Sequence, residues 1–196
     1  MKHLDLYSIS FETFQAKCIK EASYTLAGDV ARRNYQNVVV GSIFSGTTLL
    51  SMEMAHHMTH ENSAFVYTHN FIGSIAGLGD AVQFQRFFNN HVLILIEMSR
   101  QNPCDTFEIM LQYGNYHFGF GIGTLRQNCL DAVNYMFSLI SDDRLGIGVF
   151  HDPFVALAAH FLGFEGARSL RDMEAISFGM EDDGKIRVLG IKEVVS

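Results

Sequence analysis

The chain is short of cysteine, proline and basic charge, and it has no long apolar run. Each shortage excludes a class of protein. Three cysteines among 196 residues stand at unrelated spacings with no CxxC pair. That argues against a disulfide framework and makes a reducing cytoplasm the expected setting. No apolar stretch approaches the roughly 20 residues needed to span a bilayer; the run Val92 to Ile96 is of strand length. Met1 to Asp5 is mixed polar and lacks the basic-then-apolar layout of a signal peptide, although export without a cleaved signal would leave no trace. Lys and Arg total 14 against 21 Asp and Glu, a net charge of -7, and the basic residues form no block. A nucleic-acid partner is therefore not expected.

What remains is an ordinary globular composition, 48% hydrophobic and 18% charged. A single domain over residues 1–196 is expected, with a real core. Residues 9–33 carry helical spacing at Phe11, Phe14, Cys18, Ala22 and Leu26. Val38 to Phe44 reads as a buried strand closed by Ser45-Gly46, and Thr47 or Thr48 can cap a helix running to about His60. Ala64 to Tyr67 is β-rich, with a possible continuation to Ile72. Val82 to Phe88 fits either strand or helix, His91 to Met98 reads as strand, and Asn102-Pro103 opens a helix to about Tyr113. A helix around Cys129 ends near Ser141, and Pro153 to Leu162 forms a short apolar helix. Ile176 to Met180 and Lys185 to Ile191 flank Asp182-Asp183-Gly184, a hairpin signal. The mixture predicts an α+β protein.

The chemistry-bearing feature is Cys129. Glycines at 119, 121 and 123 precede it, and Leu130, Val133, Met136, Phe137 and Ile140 follow at helical spacing. This predicts a thiol in the first turn of a helix, where free N–H groups and the dipole favour thiolate, the nucleophilic form. The competing reading is a small core residue. Cys18 falls in an apolar stripe, and Cys104 follows Pro103 at a helix start, so Cys104 is the second candidate. His69, on the expected 64–72 strand, can serve as the base of a Cys–His pair; His91 and His117 are further candidates. His56 and His60 stand at i, i+4 but lack the glutamate of a zinc HExxH motif, so no metal and no cofactor is expected. Phe150-His151-Asp152-Pro153 resembles the calcium-site segment of nucleoside hydrolases. The aspartate-rich N-terminal segment those enzymes need is missing, and Asp152 as helix N-cap with Pro153 at the first helical position accounts for it. Gly119, Gly121 and Gly123 do not make the GxGxxG fingerprint.

Several segments together resemble the permuted NlpC/P60 branch of the papain-like superfamily, which includes YiiX-type and lecithin:retinol acyltransferase-like proteins. Val40-Gly41-Ser42-Ile43-Phe44 is similar to its first strand, Thr47 to His60 to its intervening helix, and Tyr67-Thr68-His69-Asn70-Phe71-Ile72-Gly73 to its histidine strand. Tyr116 to Gly121 resembles the approach to the nucleophile, and Asn128-Cys129 through Val133-Asn134 the nucleophile motif. The resemblance covers residues 38–140. It implies a central antiparallel sheet packed against a nucleophile helix. Residues 1–37 would be a helical N-terminal extension, and 141–196 a C-terminal helix and hairpin. It implies a cysteine hydrolase or acyltransferase with Cys129 as nucleophile and His69 as base. The substrate would be a small-molecule, peptide or lipid-like amide or ester, cleaved through a thioester. A second alignment places Ala64 at the histidine position. It implies an inactive papain-like binding module instead. Asp80 is the candidate third residue. Oligomeric state stays open.

Overall fold

In a computed structural model of the chain, residues 1–9, 17–46, 49–59, 65–68, 122–164 and 170–192 are described. The elements are β1 (Lys2–Ile9), α1 (Lys17–Tyr35), β2 (Val40–Ser45), α2 (Leu49–Thr59), β3 (Phe65–Thr68), α3 (Ile122–Leu139), β4 (Leu145–His151), α4 (Asp152–Phe161), β5 (Ala175–Met180) and β6 (Ile186–Lys192). The strands form one six-stranded sheet in the order β3-β2-β4-β1-β5-β6. The expected segments at 82–88, 91–98 and 102–113 lie outside the described residues.

The sheet is mixed, which corrects the expectation of a central antiparallel one. β3, β2, β4 and β1 run parallel; β5 and β6 close one side as an antiparallel pair. Parallel neighbours need crossover connections, and α1 and α2 provide them between β1, β2 and β3. Nor is the N-terminal region a helical extension. Lys2–Ile9 is an inner strand, paired with β4 on one side and β5 on the other. Its alternation sends Leu4 and Leu6 to one layer and Tyr7 and Ile9 to the other.

Two apolar layers result. Phe44, Phe150 and Phe178 meet α3 and α4 on one face; Ile43, Ile147 and Val149 meet α1 and α2 on the other. The α3/α4 layer packs close because β4 carries Gly146 and Gly148. A Cβ on Gly146 would lie 2.3 Å from Ile140 Cδ1, and one on Gly148 would lie 2.5 Å from Leu6 Cδ2. At the end of α3, the Ser42 hydroxyl donates to the Leu139 carbonyl and Lys2 Nζ to that of Phe137, meeting acceptors the helix leaves open.

β6 is not a regular partner of β5. Phe178 pairs with Val188, but Ser177 pairs with Gly190, so Leu189 bulges out. Gly190, at φ +149°, makes the step. A one-residue slip exchanges the faces of all later side chains. Ile186 and Val188 pack on the α3/α4 layer, whereas Lys192 comes over Asp5 on the other face. Among the described residues, no helix is long and apolar enough to cross a membrane.

Candidate functional site

The four parallel strands end along one edge of the sheet. β1 and β4 are neighbours there, and Ile9 pairs with His151, the last residue of β4. The chain after β4 passes directly into α4, in one layer; α1, which follows β1, lies in the other. Adjacent parallel strands whose following helices leave to opposite faces open a crevice at their carboxyl ends, the place where open α/β sheets bind ligands.

Four features meet near this crevice. His151 is the last residue of β4. Immediately after it, Asp152 begins α4, whose first N–H groups point back along the helix axis toward the same edge. Beside β4, Gly46 N–H donates to Val149 C=O and ties the end of β2 to the crevice. The Ser8 and Ser45 hydroxyls are fully buried with no hydrogen-bond partner among the described residues. Ser8 precedes the Ile9–His151 pair on β1, and Ser45 ends β2 opposite Val149. An imidazole and helix-terminal amides are groups that bind oxyanions and move protons.

Cys129 lies elsewhere. The helix begins at Ile122, so the expected first-turn cysteine falls in the middle of α3. The expectation treated Gly123 as approach to the helix, but the helix takes it in. Cys129 is fully buried among Ala132, Val133, Phe137 and the rest of the α3/α4 core. Burial pushes its thiol up to about 12. A neutral thiol without solvent access has the properties of a small core residue, not of a nucleophile. His69 and Ala64, like Cys104, His60, His91, His117 and Asp80, lie outside the described residues. His56 and His57 stand in the last turn of α2, where His57 stacks on Tyr24 with ring centroids 5.0 Å apart. The described residues bring no cluster of three or more metal-ligating side chains together. His151 stood in plain view in the sequence. Its signal was masked because Asp152-Pro153 explains itself as a helix start.

No family model and no curated protein matches the sequence. Solved structures do match. A phosphoserine phosphatase from Entamoeba histolytica, solved with 3-phosphoglyceric acid, has a TM-score of 0.58 at 12% identity over 98% of each chain. A phosphoglycerate mutase from Plasmodium falciparum gives 0.51 at 12% identity, covering 100% of this chain and 92% of its own. A mycobacterial glucosyl-3-phosphoglycerate phosphatase, solved with VO3, gives 0.53 at 10% identity over 96% and 97%. The chain thus has the phosphoglycerate mutase-like α/β fold. This corrects the papain-like resemblance. The permuted NlpC/P60 assignment, the thiol-protease chemistry and the thioester route all fall with it, and so does the inactive papain-like module.

Proposed function

We propose that this protein binds a phosphate monoester in the crevice between β1 and β4 and transfers or hydrolyses its phosphoryl group. His151 holds the phosphoryl oxygens and moves a proton there. The observation that carries this reading is the Ile9–His151 register pair at the point where the two following helices part. The neighbours' names support the same substrate class: two are phosphatases and one a mutase, and their bound 3-phosphoglyceric acid and VO3 are oxyanions. The free, buried Cys129 suits a reducing cytoplasm, which we take as the setting.

The test is release of inorganic phosphate from 3-phosphoglycerate and phosphoserine. Loss of a positioned proton carrier lowers such rates by roughly 10²–10⁴-fold. His151→Ala should fall in that range. Wild-type rates retained by His151→Ala would sink the proposal.

A second reading has its own observation. The segment Ser8-Ile9-Ser10-Phe11-Glu12-Thr13-Phe14-Gln15-Ala16, which includes the end of β1, contains no Lys, Arg or His. Phosphoryl transfer depends on charge gathered around the transferred group. A strand end this poor in cations favours a protein that binds the phosphate monoester without turnover. Binding of 3-phosphoglycerate or orthovanadate with no phosphate release selects this reading.

A further inference from the structure

At the opposite edge of the sheet lies a cavity of about 840 Å³, within the range of small-molecule sites. It stands roughly 20 Å from the carboxyl-end crevice, the length of a seven-residue strand. Two sets of residues face it. The first is apolar. Of the large apolar side chains exposed among the described residues, all but Tyr135 line this one cavity: Met1, Val38, Val39, Leu189 and Ile191. Such gathering of exposed apolar surface marks a binding site.

The second set is a polar floor. Asp5, only 2% exposed, accepts from Ser177 Oγ at 2.6 Å, Tyr35 OH at 2.7 Å and Lys192 Nζ at 2.5 Å. These three donors occupy three of its roughly four lone-pair positions, so the groups left open toward the cavity are mainly donors. Lys192 Nζ has two protons beyond its bond to Asp5. Arg144 lines the cavity, and its guanidinium has no ion pair or side-chain hydrogen bond among the described residues. His3 adds an imidazole. Against these cationic and donor groups, the one acid without a donor is Asp143, exposed at the rim. The bulge at Leu189 builds both sets at once: it turns Leu189 out to the cavity and brings Lys192 over Asp5.

We propose that this cavity is a second ligand site, for an amphipathic organic anion: a carboxylate or sulfonate on an apolar body, its charge met by Arg144 and Lys192. The site is independent of the phosphate-monoester reading.

The test uses 8-anilinonaphthalene-1-sulfonate fluorescence on the whole chain, with dodecanoate as competitor and dodecanol as its neutral counterpart. One saturable site is expected, emptied by dodecanoate and not by dodecanol at equal concentration. Arg144→Gln should weaken binding about tenfold, the value of one charge-assisted hydrogen bond. Val39→Asp should abolish it. Both positions are exposed, so both variants should melt like the parent. His151→Ala should bind the probe unchanged. Non-saturable fluorescence, equal competition by dodecanol, or an Arg144→Gln affinity within about twofold of wild type would each overturn the proposal.

Discussion

Replacing Asp5 with Ala tests the polar floor and the bulged register together. Asp5 is an acid inside the sheet, with Lys192, Tyr35 and Ser177 converging on its two oxygens. Tyr35 OH also hydrogen-bonds Tyr7 OH, and Asn34 Nδ2 donates to Tyr7. Burial pushes both phenols well above their ordinary range, so they stay protonated. In Asp5→Ala, Tyr35 keeps its tyrosine partner and Lys192, 42% exposed, turns to water. The ammonium therefore contributes little, as exposed ion pairs do. Buried Tyr35 loses one of its two partners, and Ser177, half-buried at the cavity, exchanges its acceptor for water. At ~1–3 kcal/mol for a buried group short of a partner, the variant should lose about 1–2 kcal/mol. With a urea slope near 2–3 kcal/mol/M, the midpoint falls by about 0.5 M. Lys192→Met leaves a buried carboxylate with two hydroxyl donors, so its cost should couple to the first. The double variant should lose less than the sum of the singles by at least about 1 kcal/mol. Additivity within about 0.5 kcal/mol, or an Asp5→Ala midpoint equal to wild type, would refute the network.

Cys129 should react with iodoacetamide at pH 8 at least about 100-fold more slowly in the native protein than in urea, because only opening of the core exposes it. Its folded value of about 12 lies above the ordinary 9.0. Below pH 9 the thiol is neutral in both states; between pH 9 and 12 the unfolded chain ionises first, so stability falls as pH rises. Urea midpoints across that window should show less of this fall in Cys129→Ala. Gly146→Val and Gly148→Val push side-chain atoms into the α3/α4 layer and should each cost at least about 1–3 kcal/mol by urea titration. Gly41→Ala would bring its Cβ to 2.9 Å from Arg144 Cβ, which is fixed to the backbone, and should destabilise the protein as well.

The sequence made much of this architecture legible. The helices near 17–35, 49–59 and 152–161 and the β5–β6 hairpin carry plain local signals: apolar periodicity, caps and Asp-Asp-Gly. β1 was not legible, because Lys2, His3, Asp5 and Ser8 break its apolar pattern. Their tolerance depends on tertiary partners such as Ser177 and Lys192 that lie over 170 residues away. β4 was hidden by Gly146 and Gly148, which lower strand propensity and make sense only once Ile140, Leu6 and Phe150 are seen to need the space. Parallel pairing likewise leaves no local trace. At the candidate site the strongest local signal misled. Spacing put Cys129 on the inner stripe of its helix, and that stripe is core. His151 acquires meaning only from Ile9 beside it, on a strand 142 residues earlier in the chain.

The central claim is that phosphoryl chemistry takes place at the carboxyl ends of β1 and β4. It is tested most directly by phosphate release from 3-phosphoglycerate in wild type, His151→Ala and Cys129→Ala, each normalised to folded protein. Measurable turnover is expected, kept by Cys129→Ala and lowered about 100-fold or more in His151→Ala. Turnover that survives without His151, or that disappears with Cys129, would contradict it.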